Sequence, residues 1–102
     1  MLPEIRVINT PGDIFAVLPT DTIISKSLEK NGYFERHIFE IAKAILQRAP
    51  VSGTVLDIGA NVGSFAIPIA RATGWPVICF EPQRVISELL TKSFALNEIA
   101  NA

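Results

Sequence analysis

The stretch Val55-Leu56-Asp57-Ile58-Gly59-Ala60-Asn61-Val62-Gly63, followed further on by Phe80-Glu81-Pro82, decides how the rest of the chain is read. Residues 54–58 are short, mostly apolar and β-branched, which predicts a strand ending near Asp57. The glycine-rich turn 59–63 comes next, and then a helix to about Thr73. Pro68 falls in or just after its first turn, where a missing N–H costs little. Gly74-Trp75-Pro76 stops this helix. Residues 77–80 predict a second buried strand, ended by Glu81-Pro82. A last helix spans about 84–97, with Val85, Leu89, Leu90, Phe94 and Leu96 expected on its buried side. Continuous apolar strands alternating with helices predict an α/β fold: a parallel sheet with helices on both faces.

Working outward, residues 5–8 and 14–18 are β-prone and flank the turn formers Asn9-Thr10-Pro11-Gly12-Asp13, which predicts a hairpin. Thr20 or Asp21 is placed to cap a short helix over 22–30 that Asn31-Gly32 would end. Phe34, Ile38, Ile41, Ile45 and Leu46 recur at helical spacing and predict an amphipathic helix over 34–48, closed by Ala49-Pro50. The chain therefore divides into a hairpin and helical lead-in, 1–50, and a β-α-β-α unit, 51–102.

The chemistry lies at the strand tips. Gly59 has no Cβ and lets the backbone approach a ligand closely, while Gly63 allows tight packing where the helix begins. The helix N-terminus leaves N–H groups free for a polar or anionic group. Glu81 stands at the end of the next strand, about 20 residues beyond the glycine turn, where an acid accepts hydrogen bonds from ribose hydroxyls. The pattern is that of an adenosine site. A dinucleotide fingerprint needs G-x-G-x-x-G, and position 61 is Asn. The acid Asp57 would repel a pyrophosphate, but it suits the cationic ammonium and sulfonium groups of S-adenosylmethionine.

Asp57-Ile58-Gly59-Ala60-Asn61-Val62-Gly63 resembles the first motif of class I methyltransferases. Together with Phe80-Glu81-Pro82 and a helix ending Ala95-Leu96-Asn97, the chain is similar to the FkbM family over roughly residues 20–100. Asn31-Gly32-Tyr33-Phe34-Glu35 also resembles that family's approach to the first strand. The resemblance implies a Rossmann-like fold and methyl transfer from S-adenosylmethionine to oxygen on a sugar, polyketide or similar small acceptor. It implies that Asp57 holds the methionine amino group and that Gly59, Ala60 and Asn61 line the methionine portion with backbone groups. Gly63 would be a packing glycine, Glu81 would bind the ribose, and Pro82 and Gln83 would flank the adenine. Members continue for further strands, so the chain is expected to be the cofactor-binding portion with its sheet truncated. The acceptor pocket and general base are expected beyond it, and no residue is assigned a catalytic role.

Each residue also has a plainer reading. An isolated Asp57 would be a turn cap, but Gly63 and Glu81 in register favour the cofactor. Asn61 suits a helix cap as well as a ligand contact. Glu81 is readable as a solvated strand end. Tyr33 and Glu35 either approach the methionine end or form an ordinary helix start with an exposed acid. His37 has no partner near in sequence and reads as a surface or packing residue; no metal site is expected. Trp75 and Phe65 are expected in the core. Cys79, in an apolar strand, is expected to be inert.

Composition narrows the classes. The 102 residues are 49% hydrophobic and 19% charged, the profile of a small globular domain rather than a disordered chain. Nine basic and ten acidic residues, net −1, offer nothing to attract nucleic acid or an anionic membrane. A single cysteine, no apolar run long enough to span a bilayer and no leader-like start make a cytoplasmic protein the default expectation. Two other readings are a nicotinamide dinucleotide-binding domain, against which the missing middle glycine argues, and a non-catalytic interaction module. With both sheet edges expected to be open, self-association is predicted.

Overall fold

A computed structural model describes residues 4–101; the leader reading at Met1 to Pro3 and the terminal Ala102 lie outside them. The element order is β1 (Arg6–Asn9), β2 (Ile14–Val17), α1 (Ile24–Asn31), α2 (Arg36–Arg48), β3 (Val55–Ile58), α3 (Ala66–Thr73), β4 (Val77–Phe80) and α4 (Arg84–Leu96). The fold is mixed α/β, as expected. β1 and β2 form the antiparallel hairpin, with Val7 opposite Ala16. β3 and β4 pair in parallel, with Asp57 opposite Cys79 and Ile58 opposite Phe80. Asp21 starts α1: its Oδ1 accepts the N–H groups of Ile23 and Ile24 at 3.1 and 3.2 Å. Pro68 is the third residue of α3, inside the first turn.

Two cores hold these elements together. The first joins Ile8, Phe15, Val17 and Leu28 of the N-terminal half to Val62 and Ile67 of the second half. The second packs Ala66, Ile69 and Ala70 of α3 on Val77, with Phe39, Ala42 and Leu46 of α2 alongside. α4 lies against β2 and covers its outer edge by side-chain hydrogen bonds. Ser93 Oγ accepts the Ala16 N–H at 2.8 Å. Asn97 accepts the Ile14 N–H through Oδ1 at 2.8 Å and donates through Nδ2 to the Ile14 carbonyl at 2.6 Å. A buried edge strand thus keeps its backbone groups satisfied.

Three expectations are corrected. Among the described residues helices do not cover both faces of the parallel pair. Val55, Asp57, Val77 and Cys79 point toward the helices or are at least partly covered, whereas Leu56, Ile58, Ile78 and Phe80 on the other face are exposed. The strands alternate in burial because only one face has a covering layer. The predicted apolar stripe of α2 also splits: Phe34 and Leu46 pack on the cores, joined by Phe39 from outside the stripe, while Ile38, Ile41 and Ile45 are exposed. Finally, Leu96 is exposed, and the buried side of α4 carries Ser93 and Asn97 instead. The hydrogen bonds to β2 rotate the helix that way, which an apolar-periodicity count cannot register.

Candidate functional site

The turn between β3 and α3 is built from its own backbone. Gly59 and Ala60 both donate to the Phe80 carbonyl, at 2.8 and 3.1 Å, which binds the turn to the tip of β4. Gly63 donates to the Ala60 carbonyl at 3.1 Å. Gly59, Asn61 and Gly63 are all left-handed, with φ of 81°, 52° and 92°. The two glycines have opposite surroundings. A Cβ on Gly63 would come within 2.8 Å of Ile67 Cδ1 and 2.9 Å of Leu90 Cδ1, whereas a Cβ on Gly59 would meet nothing within 4 Å. Gly63 therefore packs α3 against α4, and Gly59 leaves open space above the turn. Asn61 does not cap α3, since the helix begins at Ala66 with Phe65 at the N-cap position. It supplies a left-handed backbone, which Asn tolerates better than most residues.

Glu81 ties the two strand tips together. Its Oε1 accepts the Asn61 N–H and its Oε2 accepts the Gln83 N–H, each at 3.0 Å. A carboxylate has about four acceptor positions, so each oxygen keeps one for a ligand hydroxyl. The N–H groups of Gly59, Ala60 and Asn61 are all engaged within the fold. What this turn can offer a ligand is carbonyl oxygen and bare Cα surface. In the first turn of α3 the Ile67 N–H is donated to the Gly63 carbonyl at 2.9 Å and Pro68 has no N–H, so the donors left near the turn are those of Ser64, Phe65 and Ala66.

A cavity of about 410 Å³ opens over this turn. Asp57, Gly59, Ala60 and Asn61 line it, together with Glu35. Its apolar wall includes Phe34, Phe39 and Phe65. Asp57 Oδ2 is buried without a hydrogen-bond partner among the described residues, and burial raises its carboxyl above the ordinary value of 3.8. Cys79, opposite it, is half-buried; its thiol is pushed up to about 11, by burial first and by the Asp57 charge second. A thiol that stays protonated at neutral pH is a poor nucleophile.

A second cavity of about 380 Å³ adjoins the first, sharing Ile24, Phe34 and Asn61, and reaches Gln83 and Ile86. The structure thus brings Asp57, Gly59, Ala60 and Asn61 to one cavity and Gln83 to its neighbour. Glu81 braces the turn they share but lines neither cavity. Pro82 is exposed and lines neither cavity. Tyr33 is turned away: its ring stacks with Arg36 at 5.2 Å, and it lines a different hollow beside Pro11 and Arg71. His37 is exposed, and Trp75 and Phe65 are half-buried rather than central to a core. Reading the sequence left out Ile24, Phe39 and Ser64, which line the first cavity. The signal for Ser64 was its place directly after Gly63; the other two carried no local mark.

Chemically, the arrangement is a carboxylate without a partner at the end of one strand, a second carboxylate at the end of the next, and a cleft with aromatic walls over a glycine. The cleft itself favours positive charge beside Asp57, and the acceptor positions left on Glu81 stand at the neighbouring strand tip, outside the cavity lining. Compared with protein-family models, curated proteins and solved structures, the chain matches none.

Proposed function

We propose that this chain is the cofactor-binding unit of an S-adenosylmethionine-dependent methyltransferase of the class I, FkbM type, with a Rossmann-like fold. The acceptor class this implies is a sugar, polyketide or similar small molecule methylated on oxygen. The observation that carries the reading is the unpartnered Asp57 Oδ2 beside a cavity whose floor is the 59–61 turn, with Glu81 fastened to the same turn. An orphaned buried carboxylate oxygen is costly unless a donor arrives to meet it, and an ammonium group is such a donor.

The residues present fit the cofactor. Asp57 would receive the amino group, and the open space over Gly59 would admit the methionine chain without a Cβ in its path. The N–H groups leading into α3 at Ser64 and Phe65 suit the carboxylate. Glu81 would take ribose hydroxyls on its two spare acceptor positions. Gln83, on the adjoining cavity, would stand by the base. When bound, the cofactor supplies an electrophilic methyl group, and the task of these side chains is to hold it in line for attack.

A nicotinamide dinucleotide fits less well for a specific reason. Its pyrophosphate needs free backbone N–H groups at the glycine turn, and those of Gly59, Ala60 and Asn61 are already donated within the fold. Calorimetric titration with S-adenosylhomocysteine and with NAD separates the two. The expected result is saturable heat with the first and none with the second; heat with NAD alone would overturn the reading.

A further inference from the structure

A hollow of about 310 Å³ shares the wall of Phe34, Phe39 and Ser64 with the first cavity. Its charge is the reverse of the first. Glu35 and Asp57 are the charged residues lining the first cavity, whereas two guanidiniums, Arg36 and Arg71, line this one. Asp13 is the carboxylate beside them, so one positive charge is left in excess. Both guanidiniums are held by other groups. Arg71 donates from Nε to Asp13 at 2.6 Å and from Nη2 to Asn97 Oδ1 at 3.1 Å, and Asn97 is itself buried. Its Nη1 has no acceptor among the described residues and keeps two N–H groups. Arg36 lies over the Tyr33 ring at 5.2 Å. Its pair with Glu40 joins two exposed side chains and is worth little, so this guanidinium remains available. The walls are formed in advance. Thr10 closes the β1–β2 turn, its Oγ1 accepting the Asp13 N–H at 2.9 Å. That turn sits directly on the joint between α1 and α2, where a Cβ on Gly32 would come within 3.2 Å of Pro11 Cδ. Pro11 and Pro68 add apolar surface to that of the two phenylalanines.

We propose that this hollow is a second binding site, for a small carboxylate carried on a flat apolar body. Nothing in the S-adenosylmethionine reading requires it, and it stands without that reading. The planar fork of a guanidinium matches a carboxylate, and donors already fixed in place lose little freedom on binding. One excess positive charge is balanced by a monoanion, whereas a dianionic phosphate would leave negative charge beside Asp13. The volume stands at the lower end of small-molecule sites and suits a single ring. Proline rings and aromatic side chains supply the contact surface for that ring.

The test titrates the full, isotope-labelled chain with benzoate, benzamide and phenyl phosphate, followed by amide NMR shifts. Benzoate is expected to move the amides of Gly12, Gly32 and Ser64, which line the hollow, along one saturable curve. Benzamide has nearly the same shape without the charge and is expected to bind about tenfold more weakly. Phenyl phosphate is expected to bind no more tightly than benzoate. Arg36→Gln gives up only exposed contacts, so it should weaken benzoate about fivefold and leave the melting temperature unchanged. Arg71→Lys keeps the charge and loses the fork, and should weaken benzoate to a similar degree. Its melting temperature reports separately on the contacts to Asp13 and Asn97. Equal affinity for benzamide, or an Arg36→Gln chain that binds benzoate as the wild type does, would overturn the proposal. So would tighter binding of phenyl phosphate, or shifts that climb without saturating and appear equally around the exposed Arg84.

Discussion

At the scale of single residues, the two glycines of the turn make opposite demands. Gly63→Ala brings a Cβ within 2.8–2.9 Å of the buried Ile67 and Leu90 methyl groups, which must then shift inside the core, and does so on a left-handed backbone. We expect a loss of about 2–4 kcal/mol in urea denaturation, enough to unfold much of a small domain. Gly59→Ala meets open space and should cost only about 1–2 kcal/mol, for its backbone conformation. Its effect should fall on S-adenosylhomocysteine binding, because the new methyl group occupies the ligand's path. Asp57 makes a pH-dependent prediction. Its carboxyl is raised in the folded chain, so folding favours the protonated form. That contribution is fully present below the ordinary value of 3.8 and is lost as pH rises through the raised value. Asp57→Asn should therefore raise the melting temperature at neutral pH, and the gain should vanish in acid. Ligand binding in the wild type should run the other way, weakening as pH falls through the raised value and the charge that holds the ammonium is lost. Equal melting shifts at pH 3 and pH 7 would contradict this account.

At the scale of elements, α4 shows what its ending is for. Asn97 is 8% exposed and bonds to both backbone groups of Ile14, to the Ser93 carbonyl and to Arg71. It acts as a substitute strand along the edge of β2. Asn97→Ala leaves the Ile14 N–H and carbonyl without their partners, which should cost about 2–4 kcal/mol. Hydrogen exchange would localise the loss to β2, whereas a uniform loss across α3 and β4 would speak against the brace. Ala95-Leu96-Asn97 was legible as a motif, and the role of Asn97 was not. Ile14, the residue it braces, lies 83 positions away, and a polar residue near a helix end ordinarily reads as a cap. The ends of elements were legible, since Pro50, Gly59, Gly74 and Pro82 punctuate periods that change from helical to extended, whereas α1, α2 and α3 each begin two or three residues later than expected.

At the scale of the whole molecule, the chain has a radius of gyration of 13.2 Å, about what a packed domain of this length shows. It nevertheless leaves one sheet face bare, with Ile58 74% and Leu56 59% exposed. A contiguous apolar face of this kind promotes association. We expect the weight-average mass in sedimentation to rise with concentration. The double substitution Ile58→Lys with Ile78→Lys should suppress that rise at a cost in stability of no more than about 1 kcal/mol per site. A chain that stays monomeric at high concentration would refute the expectation. Among the described residues, no helix is long and apolar enough to cross a membrane.

The local spacing of residues was enough to determine the order of strands and helices, the parallel pairing of β3 with β4 and the glycine turn between β3 and α3. These are short-range consequences of apolar period, proline and glycine. The tertiary structure alone decided that Gly59, Ala60 and Asn61 spend their N–H groups within the fold, that Asp57 keeps an unpartnered oxygen and that Glu35 lines the same cavity. It also decided that α4 turns Asn97 inward and Leu96 outward. Such outcomes depend on which backbone groups meet across many tens of residues. Satisfying buried polar groups, rather than burying every apolar one, settles that arrangement.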